Sequence, residues 1–159
     1  LVGKKCGPNP TDRAKGGVKR SLLTEGKGVP IGLAIDGANR NDFKMMRATL
    51  ESIPVRRPKS RRKKRQGLCL DKGYDYDEAR ALAKEFRYTA HIRTRGEEAQ
   101  AIKREARFKA RRWVVERTHS WMNRFRRILT RWEKTAANYL GLLHLVCAII
   151  TYRCAGLFG

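Results

Sequence analysis

The chain has 159 residues, with 37 Lys and Arg against 15 Asp and Glu, so its net charge is 37 − 15 = +22. At 41% hydrophobic and 33% charged residues it is neither a disordered tail nor an integral membrane protein by composition. Its length suits one domain burying roughly 70% of its unfolded surface, and so large a positive charge favours polyanionic partners, nucleic acid first among them.

Residues 1–17 are rich in Gly, Pro and Lys and read as a loop. No methionine opens the chain, which points to a fragment or to an unusual start codon. Two β-prone runs, 18–24 and 29–35, flank the turn EGKG and predict a β-hairpin over 18–35. A phosphate-binding loop is excluded there, because Gly26-Lys27 would need Gly at 21 and Ser or Thr at 28, where Ser21 and Gly28 stand. Asp42 is expected to cap a helix over 43–52 that Pro54 stops. A basic loop over 55–66 follows, in which eight of the ten residues 56–65 are Lys or Arg. Such a block repels itself and reads first as a solvated loop; composition does not separate that from a nuclear-import-like or nucleic-acid patch.

The short apolar run 67–70 predicts a strand buried on both faces. A helix over 77–86, with Ala79, Leu82, Ala83 and Phe86 at helical spacing, leads to a second strand over 88–92. The 67–92 segment is therefore read as a β-α-β unit with a parallel pair. From 97 to 152 the pattern is helical. Within 111–133, Val114, Thr118, Trp121, Phe125, Ile128 and Trp132 recur at intervals 4-3-4-3-4, which predicts one helix with a single core-facing stripe. The aromatics Trp121 and Trp132 thus read as core; only Trp113 lies off the stripe. The segment 136–152 is apolar nearly all round and is expected to be a buried helix. Its longest apolar stretch, 139–152, has His144 inside it and is shorter than the about 20 residues a membrane span needs. Lys4 and Lys5 are followed by Gly7, Pro8 and Pro10 rather than an apolar stretch, so no signal peptide is expected, and a soluble, non-membrane protein is.

Cys6, Cys69, Cys147 and Cys154 form no C-x-x-C pair, and reduced, buried thiols are expected. His144 and Cys147, three apart, have the spacing of a metal pair but no further partners, and read as core.

Two carboxylates stand out. Asp71 closes the first strand of the β-α-β unit before a Gly turn, where open α/β sheets place ligands; a capping Asp is the plain alternative. Glu116 lies about 200° from the apolar stripe, on the side of Arg112, Asn123 and Arg127. Its plain alternative is a surface pair with Arg112 at i−4. Between Lys103 and Lys134 there are 12 basic residues and three acids, so Glu116 sits in cationic company.

Over residues 7–153 the sequence resembles the carboxyl-terminal part of a bacterial insertion-sequence transposase of the DDE type, from the insertion sequence four/five superfamily. The resemblance rests on GPNPTDRAKGGVKR, GANRND, Asp71-Lys72-Gly73-Tyr74 and RRWVVERTHSWMNRFRR, in that order. The family's second catalytic Asp, in Asp-x-Gly-Tyr/Phe, falls on Asp71, and its catalytic Glu, four after an Arg, falls on Glu116 and Arg112. Where the family has a Tyr and a Lys on the same helix, Lys109 and Asn123 stand here, with Arg124 one position beyond. The first catalytic Asp belongs to a strand upstream of residue 1; neither Asp12 nor Asp36 matches its motif.

The resemblance implies an α/β, RNase H-like (retroviral-integrase-like) mixed sheet flanked by helices, lacking its first, central strand and with a helical carboxyl-terminal half. It implies a transposase that cleaves DNA ends and transfers strands with two Mg²⁺ or Mn²⁺ ions. Asp71 and Glu116 would be catalytic metal ligands, and Lys72, Arg112, Arg117 and Arg124 DNA contacts. The partners would be double-stranded DNA (terminal inverted repeats and target), further copies in synapsis, and an upstream polypeptide supplying the first Asp, all in the bacterial cytoplasm at the nucleoid. The chain alone would be inactive and, with unpaired strand edges, unstable. A split reading frame and a decayed relic both fit. The rival class is a non-catalytic basic DNA-binding fragment or truncated transposase remnant, which the charge supports equally.

Overall fold

The computed structural model describes residues 4–13, 15–58, 65–92, 100 and 112–156. Lys109, residues 59–64 of the basic loop and the start of the expected helical region, apart from Gln100, lie outside them. The chain divides into two compact units, Leu1–Pro54 with Val114–Gly159, and Val55–Trp113.

In the first unit, β1 (Gly7–Pro8), β2 (Gly16–Thr24) and β3 (Pro30–Gly37) form an antiparallel sheet in the order β1-β2-β3. The short β1, pairing Gly7 with Gly17, interrupts what sequence marks as one loop over 1–17. β2 and β3 pair from Val18↔Gly37 to Thr24↔Pro30, with a register shift between Leu23 and Thr24. The connecting turn is closed by Glu25: its carboxylate accepts from the backbone N–H of Lys27 (2.6 Å) and Val29 (3.1 Å). Gly28 takes φ = +88°, a left-handed conformation open to Gly at no steric cost.

α1 (Asp42–Glu51) is capped by Asn41, one residue before the expected cap: its side chain accepts from the Phe43 N–H at 2.9 Å. Asp42 instead occupies the first turn, favourable for the helix dipole. Met45, Met46, Thr49 and Leu50 are buried at helical spacing, and α1 packs on β2 and β3.

α3 (Arg112–Asn123) follows in chain order after the second unit's α2, described below. It ends at Asn123, ten residues short of the single helix expected over 111–133. A one-turn 3-10 helix, Arg126–Ile128, comes next, and the apolar stripe ends with it. Thr118 and Met122 are fully buried and Ile128 is 1% exposed, but Trp132, expected in the core, is 73% exposed. The 4-3-4-3-4 rhythm holds through Ile128 in the 3-10 turn, and past that turn it carries no information about facing.

α4 (Ala136–Cys154) is capped by Thr135, whose hydroxyl accepts from Asn138 N–H at 3.3 Å. It was expected to be buried all round, and it buries one face only: Tyr139, Leu143, Val146 and Ile150, at intervals 4-3-4. Leu145 on the opposite face is 58% exposed. At 19 residues the helix is long and apolar enough to cross a membrane by length and composition alone, a test that core helices also pass. Its buried face completes a core with Leu33, Ile35, Met122 and Ile128. Burying such side chains contributes roughly 1.5–3 kcal/mol each.

In the second unit, β4 (Gln66–Leu70) and β5 (Tyr88–Ile92) are parallel, in register from Gln66↔Tyr88 to Leu70↔Ile92, and are linked by α2 (Asp77–Glu85). Ala79, Leu82 and Ala83 of α2 are buried, and the helix packs on β5. Among the described residues of this unit, α2 alone packs on the pair, against one face. Gly67, Cys69, Thr89 and His91 are therefore exposed on alternate positions, where sequence predicts a strand buried on both faces. The expectation of buried thiols fails in the same way: Cys69 and Cys154 are exposed, and Cys6 and Cys147 are half-buried. Arg57, in the basic loop, is docked. It donates to Gln66 Oε1 (3.0 Å) and the Phe86 carbonyl (2.6 Å), with its guanidinium 4.1 Å from the centre of the Tyr88 ring.

Candidate active site

Asp71 stands one residue past the carboxyl end of β4 and caps the 3-10 turn Lys72–Tyr74. Its backbone carbonyl accepts from Tyr74 N–H at 3.1 Å, which closes the turn. The carboxylate makes no cap hydrogen bond, and the residue is exposed. A Cβ at Gly73 would stand 3.0 Å from Asp71 Oδ1, so a side chain there would push the carboxylate aside. Asp75, four residues on, differs: it is ion-paired with Arg80 at 2.6 Å. Asp71 has no ion pair among the described residues, and Lys72 beside it is exposed.

Glu116 projects from α3 and is exposed. It has no hydrogen bond or ion pair among the described residues. Arg112 opens α3, and its side chain lies outside the described residues, as does any i−4 pair between the two. Arg117 is turned onto the hairpin: it donates to the Lys27 carbonyl at 2.5 Å and lies 4.8 Å from the centre of the Trp121 ring. Thr118, fully buried, donates to the Gly28 carbonyl at 2.7 Å. The helix carrying Glu116 is thus held against the hairpin turn by the two residues that follow it. Asn123, where the family has a Lys, accepts from Arg20 Nη2 at 3.0 Å. Arg124, exposed just past the helix, lines a cavity of about 470 Å³ with Trp121, Phe125, Ile150, Arg153 and Cys154. Burial, then the charge of Arg20, holds His119 below the usual imidazole range.

The structure thus sets Lys72 beside Asp71, and Arg117 and Arg124 on or next to the helix of Glu116, while Asp71 and Glu116 belong to different units. Each of these carboxylates is exposed, has no ion pair among the described residues, and is an oxygen donor of the kind hard divalent cations prefer. Among the described residues no three His, Cys, Asp or Glu side chains gather into a complete metal site. Sequence reasoning missed the clamp on α3, because a bond between positions 28 and 118 leaves no local pattern. It also missed the loop after residue 128, where Arg131 and Glu133 turn inward and Trp132 outward.

The family model of the transposase DDE domain matches residues 3–151. The chain is 34% identical over 155 residues to a transposase of the insertion sequence element IS402 of Burkholderia cepacia, covering 94% of this chain and 69% of that protein. It is 33% identical over 87 residues to a transposase of the element IS6501 of Brucella ovis, covering 54% of this chain and 67% of that one. No solved structure matches the chain. A mixed α/β chain with an Asp closing a parallel strand and a Glu on a clamped helix, matched along most of its length, is a member of the DDE transposase domain family.

Proposed function

We propose that the chain supplies the second Asp and the Glu of a transposase catalytic triad, Asp71 and Glu116, for cleavage of insertion-sequence ends and strand transfer. The observation that carries this reading is the exposed carboxylate of Asp71 at the carboxyl end of β4, without an ion pair among the described residues and 3.0 Å from where a Cβ on Gly73 would stand. Mg²⁺ or Mn²⁺ bound by these carboxylates would supply Lewis-acid stabilisation of an in-line displacement at phosphorus. The chain's own residues hold the donors and the DNA. The Lys72–Tyr74 turn aims Asp71, the clamp by Thr118 and Arg117 orients the helix of Glu116, and Lys72, Arg112 and Arg124 bind phosphates. A third carboxylate, from another segment or polypeptide, completes the site. β4 pairs only with β5 among the described residues, and its open edge can take the added strand of an RNase H-like sheet. Joining two element ends to a target calls for more than one copy.

The charge of +22 favours a second reading, a DNA-binding fragment without catalysis. Metal-dependent cleavage separates the two. The test is cleavage of element-end DNA by an enzyme reconstituted with the third carboxylate. Asp71→Asn and Glu116→Gln are expected to abolish cleavage while binding the DNA as the parent does. Cleavage retained by Asp71→Asn removes that residue from the site, and binding without cleavage by the parent supports the second reading.

A further inference from the structure

The loop between the 3-10 turn and α4 is built to a definite shape. Arg131 staples it with three hydrogen bonds to backbone carbonyls: Nε to Glu133 (3.0 Å), Nη1 to Lys4 (2.9 Å) and Nη2 to Lys134 (3.1 Å). The side chain of Glu133 is 8% exposed and paired with Arg127 at 2.5 Å. Ile128 is buried, and its carbonyl accepts from the Tyr139 hydroxyl at 2.8 Å. With 128, 131 and 133 held inward, the loop presents Trp132, 73% exposed, and Leu129, 52% exposed. A loop held in one shape that displays a Trp offers its flat face as a contact surface.

The surroundings decide its partner. From 124 to 134 there are five cations and one acid, and that acid is buried against Arg127. Arg124, Arg126 and Lys134, within eight positions of Trp132 in the chain, are exposed. A second copy, also at +22, would meet repulsion here, whereas a phosphate backbone would not. Within an intact duplex the faces of the bases are hidden in the stack. The flat face of a Trp finds its match on a base that has left the stack, and the surrounding cations on the flanking phosphates.

We propose that Trp132 is a stacking platform for an unpaired DNA base, with Arg126 and Lys134 holding the adjoining phosphates. The inference rests on the DNA-binding part of the function proposed above and adds to it a preference for distorted or unpaired DNA. It is tested with the 159-residue chain on an intact duplex and on the same duplex carrying one unpaired adenine. Trp132→Ala is expected to weaken binding of the second DNA by about 5- to 150-fold, the worth of one base–aromatic stack. Binding of the intact duplex should stay within about twofold, because the phosphate contacts remain. Trp132→Phe should keep most of the preference, and 2-aminopurine at the unpaired position should be quenched by the parent and not by Trp132→Ala. Equal weakening on both DNAs, or none on either, overturns the proposal. So does a change in sedimentation with DNA binding unaltered, which would make Trp132 a contact between copies. Failure of the parent to bind either DNA would instead remove the DNA-binding reading itself, and this proposal with it.

Discussion

Thr118 and Gly28, 90 positions apart, are joined by a hydroxyl-to-carbonyl hydrogen bond of 2.7 Å at a fully buried side chain. Gly28 is left-handed, and a Cβ on it would stand 3.0 Å from both Thr118 Oγ1 and Arg117 Nη2. The turn therefore approaches α3 closely because residue 28 has no side chain, and Glu116 lies two residues from the contact. Thr118→Val keeps the shape and removes the donor, leaving a buried carbonyl unpaired at a cost of about 1–3 kcal/mol. Urea denaturation should show this loss, and Thr118→Ser, which keeps the bond, should recover most of it. Equal stability of Thr118→Val and the parent would show that the clamp contributes nothing.

His119 gives the fold a pH dependence. Burial first, and the charge of Arg20 second, hold its pKa below the usual 6.5, so the folded state favours the neutral ring. The unfolded chain binds that proton more readily. The stabilisation is therefore complete above about pH 6.5 and is lost as the pH falls through the folded value. His119→Gln should flatten the decline in unfolding free energy between pH 7 and 5 relative to the parent. Parallel pH profiles for the two proteins would contradict this assignment.

The four cysteines should separate by reactivity. Burial pushes the Cys147 thiol up to about 11, whereas Cys154, on the same helix, is exposed. The thiolate is the reactive form, so alkylation by iodoacetamide near pH 8 should modify Cys154 well before Cys147. Peptide mass mapping over time reads the order directly, and Cys147 reacting as fast as Cys154 would refute the packing of α4 on this side.

Signals confined to neighbouring residues were legible in the sequence. The helix carrying Ala79, Leu82 and Ala83 spans Asp77–Glu85 against an expected 77–86, and Asp71 stands at the end of its strand. Gly, capping residues and periodicity mark such places within a few positions. The family motif singled out Asp71 and Glu116 as candidates, and the bond that holds the helix of Glu116 to the hairpin was hidden. What was illegible depends on distant partners. α3 stops at Asn123, whose side chain is held by Arg20, 103 positions away. Arg131 shapes the following loop partly through the carbonyl of Lys4, 127 positions away. No periodicity of 111–133 reveals either contact, so Trp132 keeps the rhythm of a core residue while standing in solvent. Cys69 misled for another reason: an apolar run shows that a strand can be buried on both faces, not that both faces are covered within its unit.

The first unit is written in two pieces, Leu1–Pro54 and Val114–Gly159, with the second unit between them. On a ribosome adding 5–20 residues per second, the hairpin and α1 must wait roughly 3–12 s for the intervening 59 residues before α3 can begin to emerge. Leu33 and Ile35 stay uncovered until α4 follows, since Leu143, Val146 and Ile150 complete their core. The 67–92 unit has only short-range contacts to make and can form while the hairpin waits. The nascent chain thus carries a β-ribbon with apolar side chains exposed for seconds, the interval in which a chaperone or a neighbouring copy would find it.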